Sequence, residues 1–148
     1  MLGQHQLGTA TIVSRTSLTS PTTDTVKAAL YLASATYNAS TTAYSATGEV
    51  SGTGYTAGGV TVTNATAPTS TNSSSTAGVG YWTPSASITY TTVTLTTAFD
   101  TVLIYNSTQS NKAISVHTFG SQTITAGTFT LTMPSNTTST ALIRLSTT

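Results

Sequence analysis

Regular alternation of apolar and polar residues begins at Thr25. Val26, Ala28, Leu30 and Leu32 alternate with Thr25, Lys27, Ala29 and Tyr31, the two-residue period of a half-buried strand. Upstream, residues 1–23 are polar with scattered apolar positions; 9–14 reads as a short strand, or equally the stretch reads as an N-terminal arm that orders only on a partner. Residues 34–59 lose the alternation. They hold Tyr37, Tyr44 and Tyr55 among Ser, Thr, Ala and Gly and end in Gly58-Gly59, which reads as a long shaped loop with one helical turn near 42–46. A loop of that length inside a compact domain is uncommon and usually functional, and its tyrosines have rings large enough to lie on a sheet.

Alternation resumes over 60–63 as a short strand, and 64–80 is a low-complexity exposed tip. Residues 87–97 form the next strand. Ile88, Tyr90 and Thr92 fall on one face and Thr89, Thr91, Val93 and Leu95 on the other, with a bulge between. Residues 101–105 make a short buried strand, and 112–119 another with Ile114 and Val116 opposite Ser115 and His117. Runs at 122–125 and 128–133 flank Ala126-Gly127 as a hairpin that Pro134 ends, and 140–145 make a final strand. About eight strands with turn signals roughly every 8–12 residues predict an all-β, antiparallel sandwich or barrel. A chain of 148 residues suits one domain, 1–148.

Composition narrows the function. Charged residues are 5% of the chain, against about 25% in an average soluble domain. Their place is taken by hydroxyls: 59 of 148 residues are Ser or Thr. The four cations, Arg15, Lys27, Lys112 and Arg144, do not cluster, which argues against nucleic acid as a partner. The carboxylates Asp24, Glu49 and Asp100 lie far apart in sequence, without the spacing of a metal loop. There is no cysteine for a disulfide or thiolate site. A Ser–His117–Asp100 combination can be written, but with 20 serines one is always at hand, and no Gly-x-Ser-x-Gly elbow supports it. The expectation is a non-enzyme with no catalytic, cofactor or metal residues, and His117 is a sheet-surface residue.

Trp82 fits a core position better than a sugar-stacking platform. Five Asn-x-Ser/Thr triplets follow from the Ser/Thr content alone. The N-terminus shows no secretory pattern, and the uncharged stretch 50–99 is too rich in hydroxyls for a membrane span. Synthesis in a cytoplasm, with no membrane partner, is expected.

Two segments resemble a family of small virion structural proteins of tailed bacteriophages. One runs from Val26-Lys27-Ala28-Ala29-Leu30-Tyr31 through Tyr44 to the string Gly48-Glu49-Val50-Ser51-Gly52-Thr53-Gly54-Tyr55-Thr56-Ala57-Gly58-Gly59. The other runs from Ala98-Phe99-Asp100-Thr101-Val102-Leu103-Ile104-Tyr105-Asn106 to Gly127-Thr128-Phe129-Thr130-Leu131-Thr132-Met133-Pro134. The resemblance covers about half the chain and brings no catalytic residue with it. It implies a β-sandwich of jelly-roll type acting as a capsid decoration (cement) protein. Such a protein sits on the capsid exterior of a virion assembled in the bacterial cytoplasm. Its partner would be the major capsid protein, and a homodimer or homotrimer would suit local symmetry. The alternative reading is a head–tail connector, or a tail-fibre or receptor-binding module with a carbohydrate-binding sandwich. The Ser/Thr run at 64–76 has no counterpart in the resemblance.

Overall fold

A computed structural model describes residues 24–63, 69–71 and 78–146. The expected arm at 1–23 and much of the low-complexity tip lie outside the described residues. The chain is all-β, with every strand pairing antiparallel. The strands are β1 (Val26–Leu32), β2 (Val60–Thr61), β3 (Thr69–Ser70), β4 (Val79–Trp82), β5 (Ile88–Asn106), β6 (Lys112–Leu131) and β7 (Ile143–Ser146). Among the described residues these seven are fewer than the eight expected, because the C-terminal half merges its short strands into two long ones. Among the described residues no helix is long and apolar enough to cross a membrane.

The described residues group into two compact units, one of 26–62 and 88–131, the other drawn from 24–25, 63, 69–71, 78–87 and 132–146. The first holds a sheet of order β2-β1-β5-β6. Its strand β1 departs from the expected half-buried pattern: Ala29 and Tyr31 are as fully buried as Val26, Ala28 and Leu30. It is a central strand with material on both faces, so alternation no longer separates core from solvent.

Strands β5 and β6 form one long ribbon, and three sequence expectations change with it. The strands expected at 87–97 and 101–105 are continuous as β5. The hairpin expected at Ala126-Gly127 is absent; that pair lies inside β6, and the chain reverses instead between Asn106 and Lys112, where the Asn106 carboxamide accepts from the Thr108 and Gln109 amides. Ala126 has φ 48° and marks a bulge. Thr92, with φ 54°, marks the bulge expected in β5. Between Tyr90↔Phe129 and Val93↔Gly127 the extra residue lies on β5, and between there and Leu95↔Ile124 it lies on β6. The shift at Thr92 brings Ile88 and Tyr90 into phase with Val93 and Leu95, so all four are buried.

Further extra residues on β5 before Phe99 and on β6 before Gln122 bend the ribbon sharply. The bend is deep enough that Phe119 and Phe129, ten positions apart on one strand, have ring centroids 5.3 Å apart, and both meet Phe99 edge-on. The folded-back start of β5 reaches β1, where the Tyr90 hydroxyl donates to Ala28 O at 2.8 Å.

The second unit holds a sheet of order β3-β4-β7. Trp82 of β4 pairs with Ile143 of β7, and the Thr83 hydroxyl accepts from the Leu142 amide at 2.9 Å. The strand expected at 140–145 begins later, at Ile143, because the Thr137 hydroxyl holds 137–140 in a turn by accepting from the Ser139 and Thr140 amides. Val79 and Gly80, expected in the exposed tip, belong to β4.

Candidate functional site

The most distinctive local structure is the loop 33–59 of the first unit, built on tyrosine. Six of the seven tyrosines lie in this unit, three on the loop and three on the strands beneath. Each loop ring finds a strand ring: Tyr37 lies on Tyr31 (centroids 3.6 Å), Tyr44 on Tyr105 (4.8 Å) and Tyr55 on Tyr90 (5.9 Å). The expectation that the loop tyrosines lie on the sheet holds. The helical turn expected at 42–46 does not form; Ala43 makes a strand-like bridge to Lys112 instead, with Tyr44 N–H donating to Asn111 O and Ala113 N–H to Thr42 O.

The hydroxyls complete what the rings begin. Tyr31 and Tyr37 both donate to Ser45 O, at 2.7 and 3.2 Å, and Tyr105 donates to Gly58 O at 2.8 Å. At the outer edge of β1, loop residues 48–50 supply ladder bonds, Leu32 N–H to Gly48 O and Val50 N–H to Leu30 O. Between that segment and β2 the Leu30 N–H is closed by a tyrosine, the Tyr55 hydroxyl accepting from it at 3.0 Å, while Ala28, which pairs with Val60 of β2, also accepts at its carbonyl from the Tyr90 hydroxyl. One side-chain hydroxyl, that of Tyr55, thus takes the place of a ladder rung, as buried backbone requires a partner.

Glu49 stands at the centre. Its Oε1 accepts from the Tyr55 hydroxyl at 2.7 Å and from Gly58 N–H at 2.8 Å, and its Oε2 accepts from Tyr44 at 2.7 Å. One carboxylate therefore fastens three points of the loop, with short charge-assisted bonds. In the sequence Glu49 is one of three scattered acids; the signal that singles it out is the glycine-rich string that holds it together with Tyr55, with Tyr44 just upstream. Burial, with the neighbouring Glu49 charge adding to it, holds the phenols of Tyr31, Tyr44, Tyr55, Tyr90 and Tyr105 above their ordinary 10.0, so they remain donors.

The glycines of the string are used sterically. Gly59 has φ +72°, and a Cβ there would sit 1.7 Å from Ala28 O; at Gly52 it would sit 2.0 Å from Thr94 O. The loop passes too close to strand backbone for any side chain. Its outward residues, including Ser34, Thr36, Ser45, Thr47, Ser51, Thr53 and Thr56, are exposed, small and uncharged.

Elsewhere, His117 faces Val102 across the ladder, with Nε2 3.0 Å from Ser115 Oγ. Burial pulls its pKa below the ordinary 6.5. Asp100 accepts from the Thr101 hydroxyl at 2.8 Å. Among the described residues no group of three or more His, Asp or Glu side chains converges. Trp82 is fully buried, and its indole N–H has no hydrogen-bond partner among the described residues. A ring with no exposed face cannot stack on a sugar. An open hollow of about 450 Å³ lies beside Tyr37, between Ser34–Thr36 and Thr47–Gly48, and another of about 340 Å³ lies between 83–87 and 133–136. None of their lining residues is a carboxylate, an imidazole or an amine. No family model, no curated protein and no solved structure matches the chain.

Proposed function

We propose that this protein is a capsid decoration (cement) protein of a tailed bacteriophage. In this reading it is a β-sandwich module of jelly-roll type, made in the bacterial cytoplasm and carried on the virion exterior. There it binds the major capsid protein and ties neighbouring shell subunits together. The resemblance of the glycine-rich string suggests the family of roles. The observation that carries the reading is the loop 33–59, where every motif-bearing residue is spent on rigidity. Glu49, Tyr44 and Tyr55 lock the loop, Gly52 and Gly59 seat it against backbone, and what faces outward is a fixed surface of small hydroxyls.

A pre-ordered surface loses little conformational entropy on binding, and hydroxyls form interfacial hydrogen bonds without the desolvation cost of charges. Part of the loop's backbone is paired within the unit, as at Gly48 O, Val50 N–H and Thr53 O. The contact would be made by side chains and shape. Modest affinity per copy suffices where many copies act on one shell.

Densitometry of purified particles against the major capsid protein tests this reading. Copy number on the scale of the shell protein, together with lowered thermal rupture of particles lacking the protein, is the expected result. A few copies per particle would overturn it in favour of a connector or a tail-fibre module.

A further inference from the structure

Strand β6 ends its sheet, and along most of its length no other described strand pairs with its outer side. Which groups face outward follows from the register. Val62 N–H bonds Val26 O and Val50 N–H bonds Leu30 O, so the even-numbered residues of β1 point away from β5, and Lys27, Ala29 and Tyr31 point toward it. Their partners Tyr105, Leu103 and Thr101 then face β1, while Val102 and Ile104 face β6. Opposite these two stand His117 and Ser115, which face inward, so the N–H and C=O groups of Val116 and Thr118 point outward. The outward bond from Ala113 N–H to Thr42 O fits the same alternation across the one-residue shift at Ile114.

The free stretch has definite ends. On one side the strap at 42–44 occupies the edge beside Lys112 and Ala113, and on the other β6 leaves the ladder between Thr118 and Gln122. Five residues lie between, Ile114 to Thr118, centred on Val116. Single chains commonly guard such edges with lysine, glutamate, proline or an inward charge. This stretch carries none; its one titratable group is His117, whose backbone faces inward.

We infer that Ile114–Thr118 pairs antiparallel with the same segment of a second copy, about a two-fold axis at Val116. Val116 faces itself and exchanges both backbone bonds, and Thr118 faces Ile114 of the copy. Two-fold pairing requires one residue to face itself. Centring on His117 would set two imidazoles against each other, whereas centring on Val116 sets each imidazole against a Ser115 hydroxyl. The lysines at position 112 lie outside the ladder, so no like charges meet. The copy's strand bends away after Thr118, which is where it would otherwise meet the strap. Two four-stranded sheets join into one of eight. The proposal is independent of the shell-binding reading, because it needs only the purified chain.

Sedimentation equilibrium of the full chain tests it, and a dimer in the micromolar range that T118K converts to monomer with an unchanged far-UV CD spectrum is expected. The register is read by oxidation, since the chain has no cysteine of its own. Facing Cα atoms of a bonded pair lie about 5.5 Å apart, within disulfide reach, so V116C cross-links. H117C leaves its two cysteines about 8 Å apart and does not cross-link. A chain monomeric throughout, a dimer that T118K leaves intact, or cross-linking of H117C in place of V116C would each overturn the proposal.

Discussion

Replacing Glu49 is the most informative perturbation of this fold, because one side chain fastens three points of the loop. Glu49→Ala removes the acceptor for the Tyr55 hydroxyl, the Gly58 amide and the Tyr44 hydroxyl. A hydrogen bond to a charged group is worth about 1.5–3 kcal/mol, and a buried donor left unpaired costs about as much as the bond was worth. Gly58 is buried, and Tyr55 is well covered with its hydroxyl also needed by Leu30 N–H, so both bonds belong in that range. Tyr44 is nearer solvent, where water replaces the lost acceptor, and about 0.5–1 kcal/mol is fair for it. The expected loss is about 3.5–7 kcal/mol, against a total stability of about 5–15 kcal/mol for a domain of this kind. Glu49→Gln keeps one acceptor oxygen and offers an amide to Tyr44, whose hydroxyl can turn to accept. It loses the charge, which roughly doubles such bonds, so about 1–2 kcal/mol should go. Urea titration followed by far-UV CD measures both losses. Amide exchange at Leu30 and Val50 shows whether the loop opens alone or with the sheet. An Ala variant losing less than about 1 kcal/mol, with Leu30 still protected, would refute the picture of Glu49 as the fastener.

Two further outcomes follow from the same geometry. Gly59→Ala should be severely destabilising, since its φ of +72° and the 1.7 Å approach to Ala28 O leave no room, whereas Gly120→Ala, whose Cβ meets only a distant glutamine, should shift the urea midpoint little. If the two variants unfold alike, the close-approach argument is wrong. Raising pH should unfold the protein in a single step. The phenols of Tyr31, Tyr44, Tyr55, Tyr90 and Tyr105 are raised above the 10.0 they have unfolded, so the folded state holds protons that the unfolded state gives up. Their stabilising contribution is complete below about pH 10 and is lost as pH climbs beyond it. Tyrosinate absorbance should therefore rise together with the loss of CD signal. Gradual ionisation near pH 10 with the CD signal intact would contradict the burial of these rings.

What the sequence made readable depended on whether a residue type had one use or several. Val26–Leu32 and Val60–Thr61 were readable because β-branched and aliphatic residues between glycine and polar breaks have few alternatives to a strand. The loop tyrosines were readable because a large ring among small residues must lie on something. Strand β5 was not. Its threonines pair in the ladder, face solvent at Thr89, Thr91, Thr96 and Thr97, and supply the bulge at Thr92, so the alternation breaks three times without the strand ending. Ala126-Gly127 looked like a turn for a related reason. A positive φ serves a bulge as well as a hairpin, and only the partner strand, here the distant Val93 to Leu95, decides between them.

The role of Glu49 could not be read from local pattern, because its three donors come from both sides of it along the loop and meet only once the loop has closed. That closure explains how a chain with so few charges orders 27 consecutive loop residues at 33–59. An exposed ion pair contributes little and is screened by salt, and a loop held by several of them would need many. A tyrosine brings a buried ring and a hydroxyl that reaches backbone in the same side chain, so each one closes an apolar contact and a polar one together. One carboxylate among these hydroxyls then suffices, because it accepts from three donors while its charge stays fixed between them. The outer surface is left free of charge, so contacts made through it should depend weakly on ionic strength. The scarcity of charge that made the sequence look poor in chemistry is, in this loop, the consequence of tyrosine having taken over the work that ion pairs do elsewhere.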